Sequence, residues 1–492
     1  MNKSKSNFNQ ALWLGISSVS TMLVSILSAA ILSRYFNKTE YGTYKQIIFV
    51  YTTLLTVFQA GLPSVFSFFL PKYSHAAGKF IVNKINRILF ILGVLLSVTI
   101  FASSDLVASL LNNVELARGL RLFSIFPVFT LPTLGLEGIY IVNKNTRFVA
   151  IYNTITRLLM LACIVLPVVF IRNSYETAII GWGAASFLAF IIALCYKTKP
   201  YNDVETAETI SGFMKEVLAY SLPIMGSSCV LMLYNSINQI LISRYFGTAA
   251  FAEFSNGFMP LPFIAIFINP IRQLLVPMIS KANSEGTLEQ TKSFFSTSVY
   301  ELALLIIPMI AFCVAFSKSI MVFLYGEQYA ASYVFFIIAL AFNYFEIFPM
   351  QVFLSGLGKT RKLFAYDIVY TIVLYGVNLL LIRCHLSSPV IIAVVFTVVQ
   401  IMLRYVTPYI YLRGRMNFSL VSLELLKKIL LITLHVSCAA FASYFISKAF
   451  SDMPIIADIA LSGICFYIIL IGTGFLFKIN YLRSFDRLLH RK

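Results

Sequence analysis

Long apolar runs separated by short polar segments dictate what this chain can fold into. They fall at 11–33, 47–70, 86–104, 119–142, 148–171, 177–196, 217–242, 252–279, 294–316, 332–354, 363–382, 389–411, 429–447 and 455–477. A helix needs about 20 apolar residues to cross the hydrocarbon of a bilayer, so the pattern predicts an all-α, polytopic membrane protein with about fourteen transmembrane helices. Only 12% of the 492 residues are charged and 59% are hydrophobic, against roughly 25% charged in a soluble domain. The segments between runs are too short for an appended catalytic domain, which argues for transport over covalent chemistry.

The net charge of +18 is membrane-topology charge and not a nucleic-acid footprint, because the basic residues lie between apolar runs. With both termini cytoplasmic, alternate segments hold 25 Lys and Arg on the inner side and 10 on the outer, with three of the 38 inside spans. Cytoplasmic loops retain positive charge, so the bias supports both this orientation and the span count. The N-terminal run, preceded by Lys3 and Lys5, is expected as an uncleaved first span.

An internal repeat is visible. Ser33-Arg34-Tyr35-Phe36 ends span 1 and Ser243-Arg244-Tyr245-Phe246 ends span 7; Thr146-Arg147 follows span 4 and Thr360-Arg361 follows span 10. Six spans separate the copies, an even number, so the repeats are parallel. The expected organisation is a lobe at 1–200 (spans 1–6), a second at 201–415 (spans 7–12), and 416–492 holding spans 13 and 14 with a basic cytoplasmic tail.

Enzyme and metal signatures are missing. Gly356-Leu357-Gly358-Lys359-Thr360 resembles the end of a phosphate-binding loop, but Phe353 stands where the first glycine is required. The four histidines are scattered without an HExxH pattern, and the seven cysteines form no CxxC pair. No catalytic residue, metal or cofactor is expected.

Charges within spans are more informative, since an ionisable group at membrane depth costs at least ~2.5 kcal/mol and normally faces a cavity or a partner. Arg157 lies near the middle of span 5, Arg272 between Pro270 and Pro277 in span 8, and Arg404 in the inner half of span 12. A guanidinium keeps its charge and donates a planar fork that suits phosphate. The three therefore suggest an anionic ligand in a central cavity, the other readings being snorkelling or internal ion pairing. Glu137, Glu301, Glu346 and Asp367 are the acidic residues within spans; they either pair with the arginines or bind a coupling proton or Na⁺. Arg34 and Arg244, at outer helix ends, either snorkel or form a symmetric outer gate with Glu40 and Glu253. Twelve prolines lie in or beside spans, Pro127, Pro132, Pro260, Pro349 and Pro408 among them. Each removes a backbone donor and can kink a helix.

The opening pattern Leu32-Ser33-Arg34-Tyr35-Phe36 through Glu40-Tyr41-Gly42, with Ser221-Leu222-Pro223 through Ser243-Arg244-Tyr245-Phe246-Gly247, resembles the oligosaccharide flippases of O-antigen and capsule assembly. That family belongs to the superfamily that also holds lipid II flippases and multidrug and toxin exporters. The resemblance implies two six-helix lobes around a cavity open alternately to either face of the bacterial cytoplasmic membrane. It implies a polyprenyl-diphosphate-linked oligosaccharide as cargo, and membrane lipids, a polysaccharide polymerase and chain-length machinery as partners. One departure is Asn238, or its neighbour Gln239, where the pattern often has an aspartate, which weakens any cation-coupling role there. The alternatives are a cation-coupled drug exporter of the same fold and a membrane glycosyltransferase or polymerase.

Alkaline phosphatase fused in the segment 36–38 should be active and fused at 143–145 inactive; the reverse pattern would overturn the orientation read from charge.

Overall fold

The computed structural model of the protein describes residues 2–205, 208–259, 261–416, 419–450, 453–477 and 479–481, with 2–12, 14, 16, 262, 415, 416 and 450 described by backbone alone. Pro260 and the basic tail residues Lys478, Arg483, Arg487, Arg491 and Lys492 lie outside the described residues. The chain divides into two compact units, Met1–Ala252 and Glu253–Lys492.

The first unit contains α1 (Asn2–Tyr35), α2 (Lys38–Phe58), α3 (Leu62–Phe69), α4 (His75–Leu110), α5 (Val114–Phe123), α6 (Pro127–Thr130), α7 (Leu136–Val142), α8 (Thr146–Phe170), α9 (Tyr175–Lys197) and most of α10 (Phe213–Gly257). The second contains α11 (Pro262–Ser284), α12 (Gln290–Ala315), α13 (Ser317–Tyr325), α14 (Tyr333–Phe345), α15 (Gln351–Gly356), α16 (Thr360–Arg383), α17 (Pro389–Ile401), α18 (Thr407–Met416), α19 (Leu423–Ser447) and α20 (Ile455–Gly474). Among the described residues, twelve helices are long and apolar enough to cross a membrane. Two bent pairs, α2 with α3 (46°) and α5 with α6 and α7 (44°), bring the spans to fourteen. The protein is thus a multi-pass, all-helical membrane protein.

Polar side chains set the helix starts. Asn37, Ser74, Asn145, Ser174, Ser388 and Ser422 each accept a hydrogen bond from the backbone N–H three residues on, satisfying a donor that the first turn leaves without a partner. Along α4, Ile81, Ile85, Leu89, Leu96 and Ile100 are buried while Phe90, Val94, Leu95, Val98 and Phe101 are exposed. Both sets are apolar and both repeat at helical spacing. In water the second set would be a liability; in a bilayer it is the lipid-facing side.

The first bend occurs where the chain needs a left-handed backbone, at Gly61 (φ 68°), just before α3; the second falls between Phe123 and Pro127, and a further left-handed glycine, Gly135 (φ 82°), precedes α7. One expected span is displaced. The run expected at 252–279 begins within the short helical segment that follows the non-helical Gly247 (φ 85°) of α10, and the chain leaves helical geometry again at Phe258 and Met259 before α11 starts at Pro262. Proline at the first helical position forfeits no hydrogen bond, and unbroken hydrophobicity hides the interruption from a reading of apolar runs.

In the first unit α8 packs against α1 and α9. Gly181 of α9 lies directly on the α8 backbone at Cys163 and Ile164, with no room for a side chain. Such close approach lets helices gain packing where lipid removes the hydrophobic drive. In the second unit α12 packs against α11, α14 and α19, and α19 against α20. Gly181→Leu should lower thermal stability by about 1–3 kcal/mol through overpacking, whereas Gly226→Ala, with open space around it, should leave the melting temperature of the detergent-solubilised protein within a degree or so of wild type.

Candidate functional site

The first unit carries an open cavity of about 700 Å³ whose walls come from α2, α3, the interrupted segment 130–135, α7, α8 and α9. Helical spacing selects the wall residues. Tyr152, Asn153, Thr156, Arg157 and Met160 form one stripe of α8; Tyr51, Thr52, Leu55 and Gln59 form one stripe of α2; Trp182, Ala185, Ser186 and Ala189 form one stripe of α9. The break after α5 adds Thr130 and Thr133 and places Glu137 in the first turn of α7, where the positive end of the helix dipole favours a carboxylate.

Hydroxyls, amides and aromatic rings dominate this wall, and it carries one charge of each sign. Asn153 Nδ2 donates to Glu137 Oε1 at 2.9 Å and to Ser17 Oγ at 2.9 Å, tying α8 to α7 and α1. Arg157, one turn further along α8, has no carboxylate within ion-pair distance among the described residues. Its guanidinium reaches only the thioether of Met160, at 3.8 Å, a weak acceptor. The arrangement offers an anion a charged fork, and offers a polyhydroxylated group aromatic faces and hydrogen-bond partners.

The other two expected arginines have different surroundings. Arg272 on α11 pairs with Glu346, Nη2 to Oε1 at 3.4 Å. Asn343 Nδ2 donates to the other carboxylate oxygen at 3.3 Å and Asn343 Oδ1 accepts from Leu261 N–H at 3.2 Å. Arg272 is therefore charge-compensated, the ion-pairing reading of the sequence. Arg404 lies in a π turn, Met402–Val406, just before Pro408. There Thr407 N–H reaches back to Met402 O, a register shift of the kind that relieves a helix next to proline. Its guanidinium sits over the Phe342 ring, 5.5 Å from the centroid, and within electrostatic reach of Asp367 on α16. Glu301 is half-buried on α12 and Arg34 is exposed at the end of α1; neither lines the cavity.

Arg244 has a structural partner: its Nη1 donates to Leu110 O at 3.0 Å, and the neighbouring Ser243 Oγ donates to Leu111 O at 3.1 Å while accepting from Gln46 Nε2 at 2.7 Å. The repeated Ser-Arg pair at 243–244 thus caps the carbonyls at the end of α4. Asn113 completes the cluster, donating to Thr43 Oγ1 and Gln46 Oε1 at 2.9 and 2.6 Å.

Lys197 was legible only as topology charge, yet it is 2% exposed. Its Nζ donates to Pro132 O at 2.9 Å and to Leu134 O, with the Phe66 ring 4.9 Å away. These carbonyls belong to the interrupted segment, so the lysine satisfies groups that the break leaves without helical partners. The signal was Pro127 and Pro132 inside one apolar run, which requires a donor from elsewhere in the chain.

A family of proteins described as polysaccharide biosynthesis proteins matches residues 8–283, more than half of the chain and every wall residue of the cavity. The chain belongs to this family. A curated relative is the teichuronic acid biosynthesis protein TuaB of Bacillus subtilis strain 168, 21% identical over 394 residues, covering 77% of this chain and 78% of the relative. Among solved structures, the lipid II flippase MurJ in an inward closed conformation matches with a TM-score of 0.68 at 14% identity, over 96% of this chain and 100% of that one. A multidrug resistance MATE family transporter of the MOP superfamily, in an inward-facing conformation, matches with a TM-score of 0.61 at 13% identity, over 83% and 98% of the respective chains. This polysaccharide biosynthesis protein therefore shares the fold of membrane transporters.

Removing one partner of the Arg272–Glu346 pair strands the other charge. Arg272→Met should cost about 1–3 kcal/mol, and adding Glu346→Gln should restore most of the loss; thermal unfolding of the four-member mutant cycle reads both.

Proposed function

We propose that this protein translocates polyprenyl-diphosphate-linked oligosaccharide repeat units from the cytoplasmic to the outer leaflet of the bacterial cytoplasmic membrane, for surface polysaccharide biosynthesis. The observation that carries the proposal is Arg157, a guanidinium without a carboxylate partner among the described residues, in a cavity walled by Tyr51, Tyr152, Trp182, Asn153 and several hydroxyls. A diphosphate sugar head cannot cross hydrocarbon unaided. In this reading Arg157 holds the diphosphate, the amides and rings hold sugars, and the polyprenyl tail remains in lipid. The cycle is alternating access between two six-helix lobes related by the parallel repeat, with both termini cytoplasmic.

Arg404 is the second candidate on the anion's path, because Phe342 and the π turn fix its position. Arg272 supports the fold around it through Glu346. Glu137, Glu301 and Asp367 are candidates for a coupling ion, and Arg34 and Arg244 for an outer gate, Arg244 by breaking its bond to Leu110 O. Membrane potential supplies part of the drive: moving two negative charges outward from a negative interior is favourable by roughly 4.6 kcal/mol at 100 mV. An exporter of cationic drugs fits less well, since Arg157 would repel its cargo.

In proteoliposomes loaded with the lipid-linked repeat unit, Arg157→Ala should slow translocation at least tenfold without loss of protein from the membrane. Arg157→Lys should fall between, keeping the charge but not the fork. Wild-type rates in Arg157→Ala would remove the assignment.

A further inference from the structure

A second recess, of about 360 Å³, lies between α4 and α9, lined by Asn83, Asn86, Arg87, Phe90, Leu194 and Lys197 among others. It shares no wall residue with the larger cavity. Its position along the membrane normal follows from the sequence. Arg87 is the last charged residue of α4 before an uncharged stretch that runs to Asp105, and Lys197 is the first after an uncharged stretch that begins past Glu176. The two cations therefore stand at one level, the boundary between hydrocarbon and the basic side of the membrane.

The chemistry of the wall is one-sided. It contains two cations and no carboxylate. Lys197 is already engaged by Pro132 O and Leu134 O, which leaves Arg87 exposed and in no ion pair among the described residues. The Asn86 Oδ1 is buried without a hydrogen-bond donor, an orphan acceptor that costs free energy until a donor reaches it. Above this polar floor the recess opens onto Phe90 and Leu194, 44% and 58% exposed, and the lipid-facing stripe continues into the hydrocarbon through Val94 on α4 and Ile191 and Phe187 on α9.

We propose that this recess binds an anionic glycerophospholipid of the cytoplasmic leaflet whose head group carries a free hydroxyl. The phosphate lies on Arg87, a small turn of the Asn86 side chain brings its Oδ1 into the recess to accept from the hydroxyl, and one acyl chain follows the groove between α4 and α9. Basic pockets between transmembrane helices on this side of a membrane select such lipids. The recess also includes Pro132, whose carbonyl Lys197 holds and whose neighbour Thr133 walls the larger cavity. The lipid therefore braces the interrupted segment from the side opposite the cavity.

The full-length protein, purified and stripped of lipid in detergent, would be titrated with phosphatidylglycerol, phosphatidylcholine, undecaprenyl phosphate and inorganic phosphate, with bound lipid read by native mass spectrometry and stability by thermal unfolding. Phosphatidylglycerol should be retained and raise the melting temperature, phosphatidylcholine should do neither, and Arg87→Gln should weaken phosphatidylglycerol binding about fivefold. Asn86→Leu should weaken it independently, and both variants should melt like the wild type when lipid-free. Undiminished phosphatidylglycerol binding in both variants would overturn the proposal. So would equal stabilisation by phosphatidylcholine or by inorganic phosphate, and so would preference for undecaprenyl phosphate, which would make the recess a cargo site.

Discussion

A peptide carbonyl in hydrocarbon has no water to accept from, and each one left without a donor costs several kcal/mol. This constraint makes the described chain helical nearly throughout, and it also governs the places where a helix stops. Where span 4 is interrupted at Pro127, Pro132 and Gly135, the freed carbonyls of Pro132 and Leu134 are taken by Lys197. Where α4 ends, the carbonyls of Leu110 and Leu111 are taken by Arg244 and Ser243. The irregular backbone is tolerated because charged and polar side chains from other helices complete it.

The same interruption builds the candidate site. Thr130, Thr133 and Glu137 recur at helical spacing on one side of the segment that follows the bend. That side lines the cavity together with α8, and Glu137 in the first turn of α7 accepts from Asn153. Asn153 on α8 thus engages Glu137, while Arg157 one turn further on makes no ion pair among the described residues.

Much of this was legible in order of physical strength. Span number and helical class follow from apolar run length, which no tertiary contact overrides in a bilayer. Arg157 and Arg272 stood out because membrane-embedded charge is rare. What a linear reading leaves open is which charges meet. Arg272 and Glu346 lie 74 residues apart, and only packing within the second unit pairs them, while nothing in the local sequence distinguishes Arg157 as lacking a partner. Lys197 was hidden for the opposite reason: it sits in a basic segment where topology alone accounts for a lysine. The start of span 8 was misplaced because a break between two apolar helices does not alter hydrophobicity, only backbone geometry.

The capping at Leu110 and Leu111 has a genetic consequence. Both acceptors are main-chain atoms, so replacing the side chain at 110 or 111 leaves them in place, whereas replacing Ser243 or Arg244 removes a donor outright. The contact is thus encoded on one side only. A deep mutational scan would report intolerance at 244 with no matching signal at the exposed Leu110, while any signal at the buried Leu111 would come from its side-chain packing; pairwise sequence covariation, which needs information at both ends, would be blind to the contact.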